Sequence, residues 1–393
     1  MKSKIQSLSD FVIPYVCETY KHLHTHPELA FQEKETAAYI QQQLIEMDIP
    51  FRANIGTTGI LGVLECKNPK KKIIALRADM DALPIDEETD LSYKSIVPYC
   101  MHACGHDAHV ASLLGVAKVL SQLRLEMEGT VLFIFQPGEE RHPGGARLML
   151  EDRIFDTYKP DLILGQHTSV DYPVGTVAFR AGQIMASADE VHLTVKGKGG
   201  HGALPHLFND TVLCTSQILV SLQQIRARLS SPFTPMVLSF GKFIANGSTN
   251  VIPDEVKLSG TLRTLDEAWR KQCKEHIRRI VTETAVAYGC SCEMELSDGY
   301  PSVINNPEVT ANAISFATEL VGAERIKELE VRMTGEDFGF FSQQYPSTFY
   351  RFGIKGKANP NTGNLHTATF QIDLDAFKTS VPVMAWLAWR NLQ

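Results

Sequence analysis

Short, almost continuously apolar runs punctuate the first part of the chain: GILGVLE at 59–65, IIALRAD at 73–79, VLFIFQ at 131–136 and LILGQ at 162–166. Runs of this length between polar turns predict strands buried on both faces. Before and between them, helix formers with apolar positions at helical spacing occupy 33–47 (EKETAAYIQQQLIEM), 107–123 and 144–152, and these predict helices. Alternating strands and helices predict an α/β layer whose central sheet is mostly parallel and flanked by helices.

From about residue 187 the texture changes. ADEVHLTVKGKG alternates like a half-exposed strand, 209–229 reads as a helix, PMVLSFGKFIA and DEVKLSGTLRT as two strands, 267–287 as a second helix and SCEMELS as a last strand. The order β-α-β-β-α-β is that of a ferredoxin-like α+β unit. The chain of 393 residues therefore divides into a first domain formed by 1–184 and 301–393 and an inserted domain at 185–300.

Composition narrows the class. The chain is 44% apolar and 21% charged, with a mean hydropathy of −0.10, as in ordinary globular proteins. A formal net charge of −7 lacks the basic excess that neutralises nucleic-acid phosphates, so a small-molecule substrate is expected and no nucleic-acid partner. No apolar run reaches membrane-spanning length, and Asp10, Pro14 and Glu18 interrupt the N-terminal stretch before a signal-peptide core forms. Eight scattered cysteines without an export signal read as reduced thiols of a cytoplasmic protein, Cys290 and Cys292 among them as small buried side chains.

Candidate chemistry gathers where the predicted strands end. Asp79 and Asp81 follow IIALRA, Glu139 and Glu140 follow VLFIFQPG, and His167 follows LILGQ. Open α/β sheets bind ligands at that edge. In MHACGHDAHV, residues 101–110, Cys104 and His106 would point to different faces of a regular helix, so joint ligation requires the loop or first turn before it. Thiolate and neutral imidazole are ligands for zinc and its neighbours. In QPGEE, adjacent carboxylates are commonly only solvated charge; at a ligand edge one can coordinate a cation while the other stays free as a general base. Asp81 can also be a turn or cap residue, and His167 and His366 singly would be structural histidines. Together, one cysteine, three histidines and two glutamates compose a two-cation site. Asp107 is expected to cap the helix that begins there, with His109 inside that helix and His102 left open. His22, His24, His26, His142, His192, His206 and His276 are read as structural.

ALRADMDALPI, MHACGHDAHVA, FQPGEE, GQH, KGKGGHGALPH, NVIPDEVKLSGTLRT, TGEDFGFF and NLH, in this order, resemble the aminoacylase and carboxypeptidase G type of co-catalytic metallopeptidases. The likeness is greatest to their amidohydrolase subgroup, which includes hippurate hydrolases and the plant hydrolases of indoleacetyl amino acids. It runs from HTHPELAFQE at 24–33 to NLH at 364–366. The resemblance implies that Cys104 bridges two metal ions, with His106 and His167 on one and Glu140 and His366 on the other. It makes Glu139 the general base and acid and Asp81 a support that orients a metal-binding group. Much of the wider family has a histidine ligand where this chain has Asp79, so Asp79 stays outside the expected ligand set. The inserted domain would be a lid and homodimerisation domain. His201 would polarise the scissile carbonyl, in its own or the partner's site, and Asn250 and Arg263 would grip substrate oxygens, as donors and a guanidinium fork suit. Gly335 would contribute backbone contacts, though a simple turn explains it equally.

The expected activity is metal-dependent hydrolysis of an N-acyl amino acid to a carboxylate and a free amino acid. The competing readings are a dipeptidase or other short-peptide metallopeptidase, and a non-catalytic metal-binding homologue. Two divalent ions per subunit are implied, zinc or manganese first, with cobalt and nickel compatible with the same donors.

Overall fold

A computed structural model describes residues 1–356 and 362–393. The apolar runs become strands Gly59–Glu65, Ile73–Asp79, Thr130–Gln136 and Leu162–Pro173. They belong to an eight-stranded sheet whose order is Phe51–Ile55, Gly59–Glu65, Thr130–Gln136, Ile73–Asp79, Leu162–Pro173, Ser347–Lys355, Val177–Phe179 and Ile326–Glu328. The four central strands pair in parallel; Gly59–Glu65 and Val177–Phe179 run antiparallel to the neighbours that flank this core. Every residue of Thr130–Gln136 is buried, which explains a run without alternation. Removing a side chain such as Phe133 or Phe135 from water contributes about 2–3 kcal/mol.

Helix His106–Ser121 is buried at every position except Lys118 and Ser121. It packs on strands Ile73–Asp79 and Leu162–Pro173 and between helices Lys2–Thr25 and Phe377–Asn391. Gly115 permits the crossing: a Cβ there would lie 2.5 Å from Val16 Cγ2. The helix begins at His106 with Gly105 in the left-handed region (φ 86°) and no side-chain cap. Asp107 is thus not the cap that the sequence suggests. It lies in the first turn and accepts from the Ala108 N–H at 2.8 Å.

The chain folds as two compact units, the first comprising Met1–Ile184, Ile304–Glu330 and Phe340–Gln393 and the second Met185–Val303 and Val331–Gly339. The second unit therefore holds Val331–Gly339, with Gly335, in addition to the continuous stretch. Its sheet has the order Met236–Ala245, Glu255–Thr264, Asp189–Lys196 and Ser291–Leu296, antiparallel throughout. Helices Thr211–Leu222 and Glu267–Ala287 pack together on it over a separate core that includes Val195, Ile218, Leu258 and Ile277. Asp210 and Asp266 cap these helices by accepting from Leu213 N and Trp269 N. Among the described residues, no helix is long and apolar enough to cross a membrane. All eight cysteines are free thiols.

Candidate metal centre

In the first unit, the ends of neighbouring strands and the start of the buried helix bring the polar motifs together. Asp81 follows strand Ile73–Asp79 and Glu139 and Glu140 follow Thr130–Gln136. His167 does not end its strand: Leu162–Pro173 continues beyond it, paired with Ser347–Lys355. Cys104 precedes Gly105, where a Cβ would stand 2.8 Å from Thr168 Oγ1, so glycine lets this loop lie against the strand. His366 sits in the left-handed region at φ 62°, its N–H donated to Ala103 O at 2.8 Å.

Three donor groups overlap here. Cys104, His106 and His167 form one, Cys104, Glu140 and His366 a second, and His106, Glu139 and Glu140 a third; within each, one donor atom per residue lies within 4.8 Å of the others. Cys104 is common to the first two, with Sγ 3.6 Å from His167 Nε2. Glu140 Oε1 is 2.9 Å from His366 Nε2. His106 turns Nδ1 to Asp81, 3.0 Å from its backbone oxygen and 3.2 Å from Oδ1, so a neutral ring keeps its proton there and leaves the lone pair on Nε2. That Nε2 is buried and makes no hydrogen bond. A buried imidazole nitrogen facing thiol and carboxylate donors fits a divalent metal ion. The other oxygen of Asp81 accepts from the Glu140 N–H at 2.9 Å.

As protein groups alone, these donors hold protons. Burial, then Glu140, pushes the Cys104 thiol up. Burial opposes charge on His106, but Asp79 and Cys104 outweigh it and raise its pKa. Hydrogen bonds with Cys104 and Glu140 push His366 up to about 10. His167 moves the other way, held well below its usual range by burial and by the Arg351 guanidinium. A metal ion held here would therefore compete with protons at Cys104, His106 and His366.

Sequence reading misses the groups behind the donors. Arg351 is 2% exposed and donates to Thr168 O at 3.2 Å, with Nη1 3.0 Å from His167 Nδ1; that ring nitrogen lies 2.7 Å from the same Thr168 O, to which a neutral ring donates, leaving the lone pair on Nε2. The only signal of Arg351 is a charge inside the apolar strand STFYRFGIK. His24, read as structural, donates from Nδ1 to Asp107 at 2.6 Å and from Nε2 to Glu87 at 3.2 Å. Its pKa is raised to about 9 because these hydrogen bonds and charges outweigh burial, the largest single influence. His102 is buried with neither ring nitrogen hydrogen-bonded, and burial pushes it down to about 4.

His201, Asn250, Arg263 and Gly335 belong to the second unit. Strand Gly200–His201 pairs with Val251–Ile252, and Gly202 N–H donates to Asn250 O at 2.8 Å, so His201 and Asn250 share one ribbon. His201 Nδ1 accepts from Ala203 N–H at 3.1 Å; a neutral ring therefore carries its proton on an exposed Nε2. Arg263 donates from Nε to Thr261 Oγ1 at 3.0 Å, and a Cβ on Gly335 would lie 3.1 Å from Arg263 Nη1.

The sheet thus carries at its edge a thiol-centred set of donors able to hold metal ions. Residues 75–390 match the Peptidase family M20/M25/M40, and the chain belongs to that family. It is 40% identical to a putative amidohydrolase of Bacillus subtilis, covering 99% of this chain and 97% of that protein. It is 36% identical to thermostable carboxypeptidase 1 of Saccharolobus solfataricus, with 99% and 97% covered. With N-acetyldiaminopimelate deacetylase of Enterococcus faecalis it shares 39% identity over 93% of this chain and 94% of that one. The crystal structure of a dinuclear metal-binding peptidase of the M20 family from Bacillus subtilis superposes with a TM-score of 0.84 at 33% identity, covering 98% of this chain and 99% of that one.

Proposed function

We propose that this protein hydrolyses the amide bond of N-acyl amino acids, using two divalent ions, zinc or manganese first. What supports the reading is the sharing of Cys104 between two donor groups, with the Glu139 carboxylate beside one of them. His106 and His167 would complete one position and Glu140 and His366 the other. When bound, the ions would supply Lewis acidity that activates water and polarises the amide carbonyl.

The remaining steps belong to the chain. Glu139, buried at 7% exposure, takes a proton from the attacking water and returns it to the leaving amine. Asp81 holds His106 in the tautomer that presents Nε2. The second unit acts as lid and homodimerisation domain. From it His201 donates Nε2–H to the developing oxyanion, in its own or a partner's site, while Arg263 and Asn250 hold the substrate's oxygens and Gly335 lines the pocket through its backbone. The free thiols suit a cytoplasmic setting.

The test is Glu139→Gln, assayed for metal content and for turnover of N-acetyl and N-benzoyl amino acids. We expect two ions retained and turnover reduced at least ~10²-fold; retained turnover removes Glu139 from this role. The similarity to a carboxypeptidase favours a second reading, cleavage of short peptides. Faster turnover of free dipeptides than of acylated amino acids decides for it.

A further inference from the structure

Asp79, His106 and His109 also place donor atoms within 4.8 Å of one another, and all three are buried. The hydrogen bonds of Asp79 and His109 point to another purpose. Thr168 N–H lies 2.9 Å from His109 Nε2. A backbone N–H can only donate, so Nε2 carries the lone pair and the ring proton of neutral His109 is on Nδ1. That nitrogen stands 2.5 Å from Asp79 Oδ1, to which it donates. Asp79 Oδ2 accepts from Arg77 Nη1 at 2.7 Å, and Arg77 Nε donates to Gln136 Oε1 at 2.8 Å. Both nitrogens of His109 are thus engaged by protein groups, and each oxygen of Asp79 accepts from one, Oδ2 standing also 3.5 Å from His106 Nε2.

The far end of this row meets the metal centre. Pairing of strand Ile73–Asp79 with Leu162–Pro173 stops at Arg77 and Gly165, and His109 takes up the N–H of Thr168 just beyond. That N–H belongs to the peptide bond between His167 and Thr168, so the contact fixes the plane from which His167 projects. Thr168 Oγ1 also donates to Cys104 O at 3.0 Å. We propose that Asp79 and His109 are positioning residues, which hold the His167–Thr168 peptide so that His167 Nε2 faces Cys104, and that neither is a metal ligand. The proposal rests on the reading of His167 as a ligand.

The experiment titrates metal-stripped protein with zinc alone against a chromophoric chelator, and records the visible ligand-field bands after cobalt loading. His109→Leu, close in volume but without an acceptor, is expected to weaken one of two ions 10–100-fold and to alter the cobalt bands. His109→Gln restores an acceptor for Thr168 N–H and is expected to recover most of that affinity. Asp79→Asn keeps an acceptor for His109 and is expected to hold both ions within tenfold. Two ions at unchanged affinity in His109→Leu overturn the proposal, as does His109→Gln equally impaired. Loss of an ion in Asp79→Asn as complete as in His167→Ala makes Asp79 a ligand and overturns it too. Should His109→Leu not fold, the other two variants decide. If His167→Ala itself leaves both affinities unchanged, the metal reading of His167 fails instead.

Discussion

Asp81 and Glu140 are joined by a 2.9 Å hydrogen bond from the Glu140 backbone N–H to Asp81 Oδ2, while Asp81 Oδ1 lies 3.2 Å from His106 Nδ1. One carboxylate thus touches a donor from each of the two groups that share Cys104. Replacing it with an amide puts an NH2 against one of two N–H donors. Asp81→Asn is expected to lower metal affinity about 10–100-fold. Zinc competition titration checks this, and unchanged affinity for both ions refutes it.

Metal uptake should depend on pH with a defined sign. His366, at about 10, and the raised Cys104 and His106 are largely protonated at neutral pH without metal, and each must lose a proton to ligate. Affinity is therefore expected to rise with pH, about tenfold per unit for each proton released. Zinc titrations at pH 6 and pH 8 measure the slope; a flat or falling profile contradicts the assignment of these donors.

The His24 pair with Asp107 and Glu87 gives the fold its own pH response. His24 has a folded pKa of about 9 against 6.5 unperturbed, so its contribution is full below about 6.5 and lost as pH rises through 9. Glu87 and Asp107 are lowered despite burial by contacts that include His24, so their contribution is present above their ordinary range and lost in acid. His24→Gln lacks the first transition. The gap in melting temperature between wild type and variant is expected to narrow from pH 6 to pH 9, by the equivalent of about 3 kcal/mol at most. A constant gap would refute the ion triad.

Gly105→Ala tests the turn before the buried helix. At φ 86° an L side chain is strained, and its Cβ would meet Thr168 Oγ1 at 2.8 Å. A destabilisation of about 2 kcal/mol is expected, with weaker metal binding because Cys104 and His106 flank the site. Unchanged melting temperature and zinc affinity would show that the loop relaxes freely.

The parts legible in sequence are those with a local signature. Strand Ile73–Asp79 coincides with its apolar run, and each proposed donor except His366 is a polar group near the end of such a run or beside a glycine. Helix Phe377–Asn391 is buried nearly all round, so no polar face marks its period. Helix Lys2–Thr25 hides differently: Ile5, Val12, Val16, Tyr20 and Leu23 are its buried apolar positions, thinned by polar residues and by Pro14. The bonds of His24 to Asp107, His109 to Asp79 and Arg351 to Thr168 join residues remote in the chain or on different elements. Nothing in local pattern selects such partners, because packing chooses them after the sheet has formed.

His366, the left-handed residue held to Ala103 O, is translated long after Cys104 and His106, which precede it by about 260 positions. A growing chain therefore presents Cys104, His106, Glu140 and His167 well before residue 366 is made. A ribosome-bound fragment ending before residue 366 lacks one of the five proposed donors and is expected to capture one ion at most.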